Sequence, residues 1–307
     1  MVVHSNPSHS AHNAQPPIDM ERLLRRIRDI PSLPDLINKI VDLIGQPEAS
    51  ASQIAKLISF DAGLTSKVLR LVNSSAYGFQ RQISSVQHAI MILGFGQVRG
   101  LVLSASILKL FEKTEARGLD LEWQWKHGLQ TAAVSRHLAH KFNIPNGEDA
   151  FSAGLLHDIG KIVLSVYCND VYGKLMTGCR QQTINTHGPA FSEAEQAVLG
   201  LTHARVGAEV AQRWKLPASF IDTIRHHHSP QLATDTPELV YVVALANCFC
   251  ATDLTDVHPI DFDHIPDHIW LPVFEWMNAE MDPRQALEEL YWDVKNEVGT
   301  WPDLNEF

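Results

Sequence analysis

Apolar residues recur at the three- and four-residue spacing of helices along most of this chain. Leu23, Leu24 and Ile27 form a first stripe, and after the punctuating Pro31 and Pro34 come Leu36, Ile37, Ile40, Val41 and Ile44. Ile54, Leu57 and Ile58 follow behind Ser50 or Ser52, either of which can cap a helix, and Leu64, Val68, Leu69 and Val72, then Val86, Ile90 and Leu93, continue the pattern. A second helical region starts near Leu121, with Trp125, Leu129, Ala132, Ala133, Leu138 and Phe142 on one face, and breaks at Ile144-Pro145-Asn146-Gly147. Further helices are predicted over 149–167, 191–214, from Pro217 into Arg225-His226-His227-His228-Ser229-Pro230, and over 237–250; residues 258–307 add two acidic helices with exposed-looking tryptophans. No stretch alternates at period two, so the predicted fold class is all-α, without the βαβ units of a Rossmann or P-loop protein. Gly94-Phe95-Gly96-Gln97-Val98-Arg99-Gly100 is Gly-rich but lacks GxGxxG spacing and follows a helix; it reads as a tight turn where glycine supplies positive φ or close packing.

Composition narrows the class. At 307 residues, 45% hydrophobic and 20% charged, the chain can bury a large core. Residues 1–17, rich in Ser, Asn, His, Pro and Gln, read as a disordered tail. Apolar stretches such as 89–93 and 239–246 fall short of the ~20 residues that span a bilayer, and no secretory signal is evident, so a soluble cytoplasmic protein without a membrane partner is expected. Four cysteines without CxxC spacing fit a reducing compartment. The net charge of −10 argues against nucleic acid as a partner, and the short cluster Arg22, Arg25, Arg26, Arg28 sits with Glu21 and Asp29 as a solvated face.

Candidate chemistry centres on Ala153-Gly154-Leu155-Leu156-His157-Asp158-Ile159-Gly160-Lys161, which puts an adjacent His-Asp pair on an apolar helix. Imidazole and carboxylate side by side can grip a divalent cation, with His127, His203, His227 and His228 available from other helices. A lone buried histidine is more often a hydrogen-bonded core residue; it is the ensemble that points to metal. His226 is out of phase with the ligands, and His88, His137, His140 and His187 read as surface or capping residues. Lys161 either positions a phosphate beside the metal or counters a helix C-terminus. Asp61 and Asn73 read as caps and turn residues rather than a partner surface. Ser74 and Tyr77 are open to the same two readings, and the turn Tyr77-Gly78-Phe79 beside Arg81 is a candidate docking edge.

The motifs Ile30-Pro31-Ser32-Leu33-Pro34, the run from Ser59 to Gly78, the run from Ile83 to Gly94, His157-Asp158-Ile159-Gly160-Lys161 and Arg225 to Pro230 together resemble the HDOD domain, over roughly residues 25–230. The resemblance implies an all-helical relative of the HD-domain phosphohydrolases found in bacterial signalling proteins. It implies an N-terminal helical half over 20–114, an HD-like helical core over 119–252, and an extension at 258–307. By the same resemblance His127 matches the first ligand histidine, His157-Asp158 the signature pair with Asp158 able to bridge two metals, and His203, His227 and His228 the additional ligands of binuclear HD-GYP enzymes. Asn247 stands where those enzymes carry an aspartate, which costs the site a negative charge, and the Gly-Tyr-Pro loop is missing, so cyclic-di-GMP hydrolysis is disfavoured. One or two divalent ions (Fe, Mn, Zn or Mg) and no organic cofactor are implied. Two functions follow: a regulatory module acting on signalling proteins in trans, with a nucleotide or phosphate as a candidate ligand of its HD pocket, or a metal-dependent phosphohydrolase of nucleotides or cyclic nucleotides, in which Asp158 and Lys161 would be catalytic.

Overall fold

The computed structural model describes residues 25, 30–73, 79, 81–111, 118–145, 147–182, 184–251, 262–276 and 281–298. The tail 1–17, the stripe Leu23, Leu24, Ile27 and the turn residues Ser74, Tyr77 and Gly78 lie outside them. Among the described residues there is no strand. The helices are α1 (Asp35–Ile44), α2 (Ala51–Ile58), α3 (Ala62–Val72), α4 (Val86–Phe111), α5 (Leu121–Lys141), α6 (Ala150–Leu156), α7 (Ile159–Tyr167), α8 (Asn169–Gln181), α9 (Pro189–Leu199), α10 (His203–Arg213), α11 (Ala218–His226), α12 (Pro237–Phe249), α13 (Asp267–Trp276) and α14 (Pro283–Val298).

Local chemistry sets the ends of the N-terminal helices. Ser50 caps α2 in a reciprocal box with Gln53. Asp61 caps α3 through Leu64 N at 3.0 Å and pairs with Lys109 Nζ at 2.8 Å, while Asn73 accepts from Ile83 N at 2.6 Å and donates to Ile83 O at 2.8 Å. Both act as structural residues. α1, α2 and α3 pack on α4, and α4 packs on α6. By length and composition α4 could cross a membrane, a feature the short apolar runs of the sequence conceal. It is in fact two helical arms joined at Gly94 (φ 79, ψ 171), a conformation essentially restricted to glycine, and Val98, Leu101, Val102 and Leu103 of its second arm are buried in the core.

Around α6, whose seven residues are all buried, gather α5, α11 and α12, with α10 crossing α7. Gly160 makes that crossing possible: a Cβ there would fall 1.9 Å from His203 O. α13 and α14 pack on α12 and α5, so the C-terminal helices complete the core, and Trp270, expected at the surface, is buried with Arg284 over its ring. One hydrophobic cluster runs from Ile30 to Val294.

The expected continuous helix over 149–167 is interrupted. His157 follows the last residue of α6, and Asp158 (φ −98, ψ 12) precedes α7. The reason is local: His157 Nδ1 donates to Gly154 O at 2.6 Å, a side-chain bond to a carbonyl of the helix end. The helix from Pro217 ends at His226, within the expected segment Arg225 to Pro230.

Candidate metal centre

Four of the candidate histidines, His127, His157, His203 and His227, are held by Nδ1, which leaves Nε2 to face a common point. His127, nearly two turns into α5, sets Nδ1 3.0 Å from Cys250 O. His157 uses Gly154 O, and His227, at the C-terminus of α11, donates to Ile224 O at 2.9 Å. His203 opens α10 behind the cap Thr202, and its Nδ1 and backbone N–H both donate to Glu195 Oε2, at 2.5 and 2.8 Å. Such partners fix the tautomer and raise the basicity of a metal-ligating imidazole.

The common point is the Asp158 carboxylate. Its Oδ2 lies 3.4 Å from His157 Nε2 and 3.7 Å from His127 Nε2; its Oδ1 lies 3.2 Å from His203 Nε2 and 3.7 Å from His227 Nε2. His228 joins through Nε2, 3.1 Å from His203 Nε2. Donor atoms therefore fall into two groups, His127/His157/Asp158 and His203/His227/His228, each within 4.8 Å. Asp158 sits between them.

The charges agree with this reading. Burial pushes His127, His227 and His228 well below the usual imidazole range. Burial and then the Lys161 charge bring His187 to about 3. Burial also opposes the charged form of His203, but the Glu195 carboxylate and Asp158 outweigh it and the net shift is upward. Burial disfavours the Asp158 charge too, yet His157 and Lys161 beside it hold its carboxyl well below the usual range.

The residues fit a cation. A neutral His127 has one N–H for two acceptors, Cys250 O and Asn247 Oδ1, each at 3.0 Å. His157 Nε2 and Asp158 Oδ1 are buried without a hydrogen-bond partner. Imidazoles, one carboxylate and a neutral carbonyl suit iron, manganese or zinc in one or two positions.

All seven residues singled out from the sequence, His127, His157, Asp158, His203, His227, His228 and Asn247, meet here, and His226 lies outside, 3.9 Å from Asp222. Lys161 is fully buried in the first turn of α7, so it counters no helix C-terminus; its Nζ donates to Asp158 Oδ2 at 2.6 Å and to His187 Nδ1 at 3.2 Å. His187, expected at the surface, is buried 3.3 Å from Asp158 and stacked on Trp123 at 4.5 Å. It comes from the loop before α9, where no periodicity marked it. Three further residues escaped the sequence reading. Gln124 donates to Asp158 Oδ2 at 3.0 Å and sits one turn before His127; Trp123 covers the site; Glu195, a carboxylate in apolar helical phase, was the legible signal.

An all-helical fold carrying two histidine groups around one aspartate defines the class of the protein. The chain belongs to the HDOD family, whose domain model matches residues 30–230. It is 29% identical over 228 residues to an uncharacterised protein of Treponema pallidum (strain Nichols), covering 72% of this chain and 42% of that one. It is 24% identical over 148 residues to the uncharacterised protein YuxH of Bacillus subtilis (strain 168), covering 46% and 36%. The chain thus spans less than half the length of these relatives. Among solved structures it resembles an HDOD domain protein of unknown function from Geobacter sulfurreducens, with TM-score 0.70, 25% identity, and 92% and 99% of the two chains covered. A proposed phosphohydrolase from Shewanella amazonensis SB2B shares the fold at TM-score 0.65 and 24% identity, covering 90% and 96%. So does a proposed signal transduction protein from Marinobacter aquaeolei VT8, at 0.63 and 19%, covering 90% and 60%.

Proposed function

We propose that the chain is a regulatory module that acts through protein partners and holds one or two divalent ions in its histidine centre as part of its folded or signalling state. The observation that carries this reading is the closure of the centre. His127, His157, His203 and His227 are fully buried, His187 lies over His127 with ring centroids 3.8 Å apart, and Trp123 closes the stack from outside. Lys161 already occupies the bridging carboxylate. Exposed Phe60, in the turn between α2 and α3, and Met91 and Ile92 on α4 supply apolar surface for a partner. Signalling proteins supplied in trans are the partner class, and a bacterial cytoplasm is the setting.

A second reading, a metal-dependent phosphohydrolase, is favoured by one feature. A pocket of about 410 Å³ reaches His187 and Gln124 and carries Arg180 on its wall, a cation suited to a phosphate. Metal analysis and turnover separate the two. The chain is expected to contain iron, manganese or zinc, lost in His157→Ala/Asp158→Ala, and to hydrolyse neither a generic phosphodiester nor nucleotides above background with Mn²⁺ or Fe²⁺ added. Turnover that disappears in the double variant would instead establish the enzyme. Activity gained only on Asn247→Asp would mark a degenerate one.

A further inference from the structure

A cavity of about 390 Å³ lies where α3, α4 and α5 meet the corner between α6 and α7, a volume suited to a small molecule. None of the histidines of the centre lines it, but Asp158 does, so the cavity opens beside the centre. Its body is aliphatic, from Leu71, Ile107, Leu155, Leu156 and Ile162. Two buried polar atoms on its wall lack hydrogen-bond partners, Ser104 Oγ and Gln124 Oε1. Ser104 is 1% exposed and its Oγ makes no hydrogen bond, although a helical serine commonly bonds a carbonyl one turn back, as Ser106 does to Val102 O at 2.7 Å. Gln124 donates its amide N–H to Asp158, which fixes the amide's orientation and leaves Oε1 buried without a donor. At the outer edge stand Lys67, half-buried, and the exposed Arg70 and Glu122, two cations against one carboxylate.

We propose that this cavity binds a medium-chain aliphatic acid with a terminal hydroxyl. The hydroxyl donates to Gln124 Oε1 and accepts from the Ser104 hydroxyl, which satisfies both orphaned groups. The chain lies along the aliphatic walls, and the carboxylate meets Lys67 and Arg70. Gln124 bonds Asp158, and Asp158 itself lines the cavity, so the occupant sits beside the carboxylate of the centre. The assignment does not depend on whether the histidine centre turns over a substrate, because binding is read directly and the varied residues, Ser104 and Arg70, belong to the cavity alone.

Isothermal titration of the full chain with ω-hydroxydecanoate and with decanoate tests it. The hydroxy acid should bind about tenfold more tightly, the value of one hydrogen bond to an otherwise unpaired group. Ser104→Ala, which removes one of the hydroxyl's two partners, should narrow that difference while both acids still bind. Arg70→Glu, at an exposed position, should weaken both alike. The assignment is overturned if neither acid binds, if decanoate binds as well as the hydroxy acid, or if Ser104→Ala leaves the preference undiminished.

Discussion

At the scale of single residues, the centre depends on groups that touch no ion. Glu195 is fully buried, accepts from both nitrogens of His203 that face it, and accepts from Tyr172 OH at 2.9 Å. Glu195→Gln should keep the fold and lower metal affinity roughly 10- to 100-fold, the usual effect of losing a carboxylate behind a ligand histidine; competition with a chelating dye reads this directly. Lys161 has the opposite sign. Its ammonium stabilises a buried carboxylate when no ion is bound and repels a cation when one is, so Lys161→Met should destabilise metal-free protein by about 3–5 kcal/mol while tightening metal binding. Denaturation with and without Mn²⁺ should show the loss largely recovered by metal. The imidazoles impose a pH dependence as well. His127, His187, His227 and His228 have depressed folded-state values, so below the ordinary 6.5 the unfolded chain takes up protons that the native one refuses. Stability of chelator-treated protein should therefore fall as pH drops from 6.5 toward the His187 value of about 3; the raised His203 takes up its proton in the native state above 6.5, so its contribution is already complete in this window. A flat denaturation midpoint across that window would contradict these assignments.

At the scale of elements, the centre is set by where helices stop and how closely they cross. His157 and His227 each directly follow a helix and donate to a carbonyl three residues back, so each helix end aims an Nε2 inward. Apolar periodicity made the helices readable, and the ordered motifs carried the ligand set. The stop between His157 and Asp158 was not readable, because Ala150 to Val166 is apolar on both sides of it and only the side-chain bond to Gly154 ends α6. Nor was the return of His187, which depends on Asn247 Nδ2 donating to its carbonyl at 3.1 Å from sixty residues away. Gly160 is the sharpest test of the crossing. Gly160→Ala would drive a methyl into the His203 backbone and should cost about 1–3 kcal/mol together with metal, whereas Gly178→Ala, with nothing within 4 Å, should be neutral or stabilising by about 0.5–1 kcal/mol.

At the scale of the whole molecule, the N-terminal helices and the histidine core share one apolar interior and are tied by polar links that span the chain. Trp214 Nε1 donates to Pro31 O at 3.1 Å, and Asp149 receives both Arg99 from α4 and Ser219 Oγ from α11, the latter at 2.7 Å. With the cluster unbroken from Ile30 to Val294, neither half has a separate core to retain when the other opens. Calorimetry should accordingly give a single transition, and metal should move it as a unit, by about 2.7 kcal/mol at a free ion concentration a hundred times Kd. Arg99→Met, which leaves the mostly buried Asp149 without its cation, should lower the midpoint by about 2 kcal/mol and preserve the single transition. Two resolved transitions, with metal shifting only the upper one, would mean that the halves are thermodynamically separate and that a partner bound to the N-terminal helices could reach the histidine centre only by direct contact. One transition makes any partner that binds the native state a stabiliser of the metal-holding form, which is the linkage a regulatory module requires.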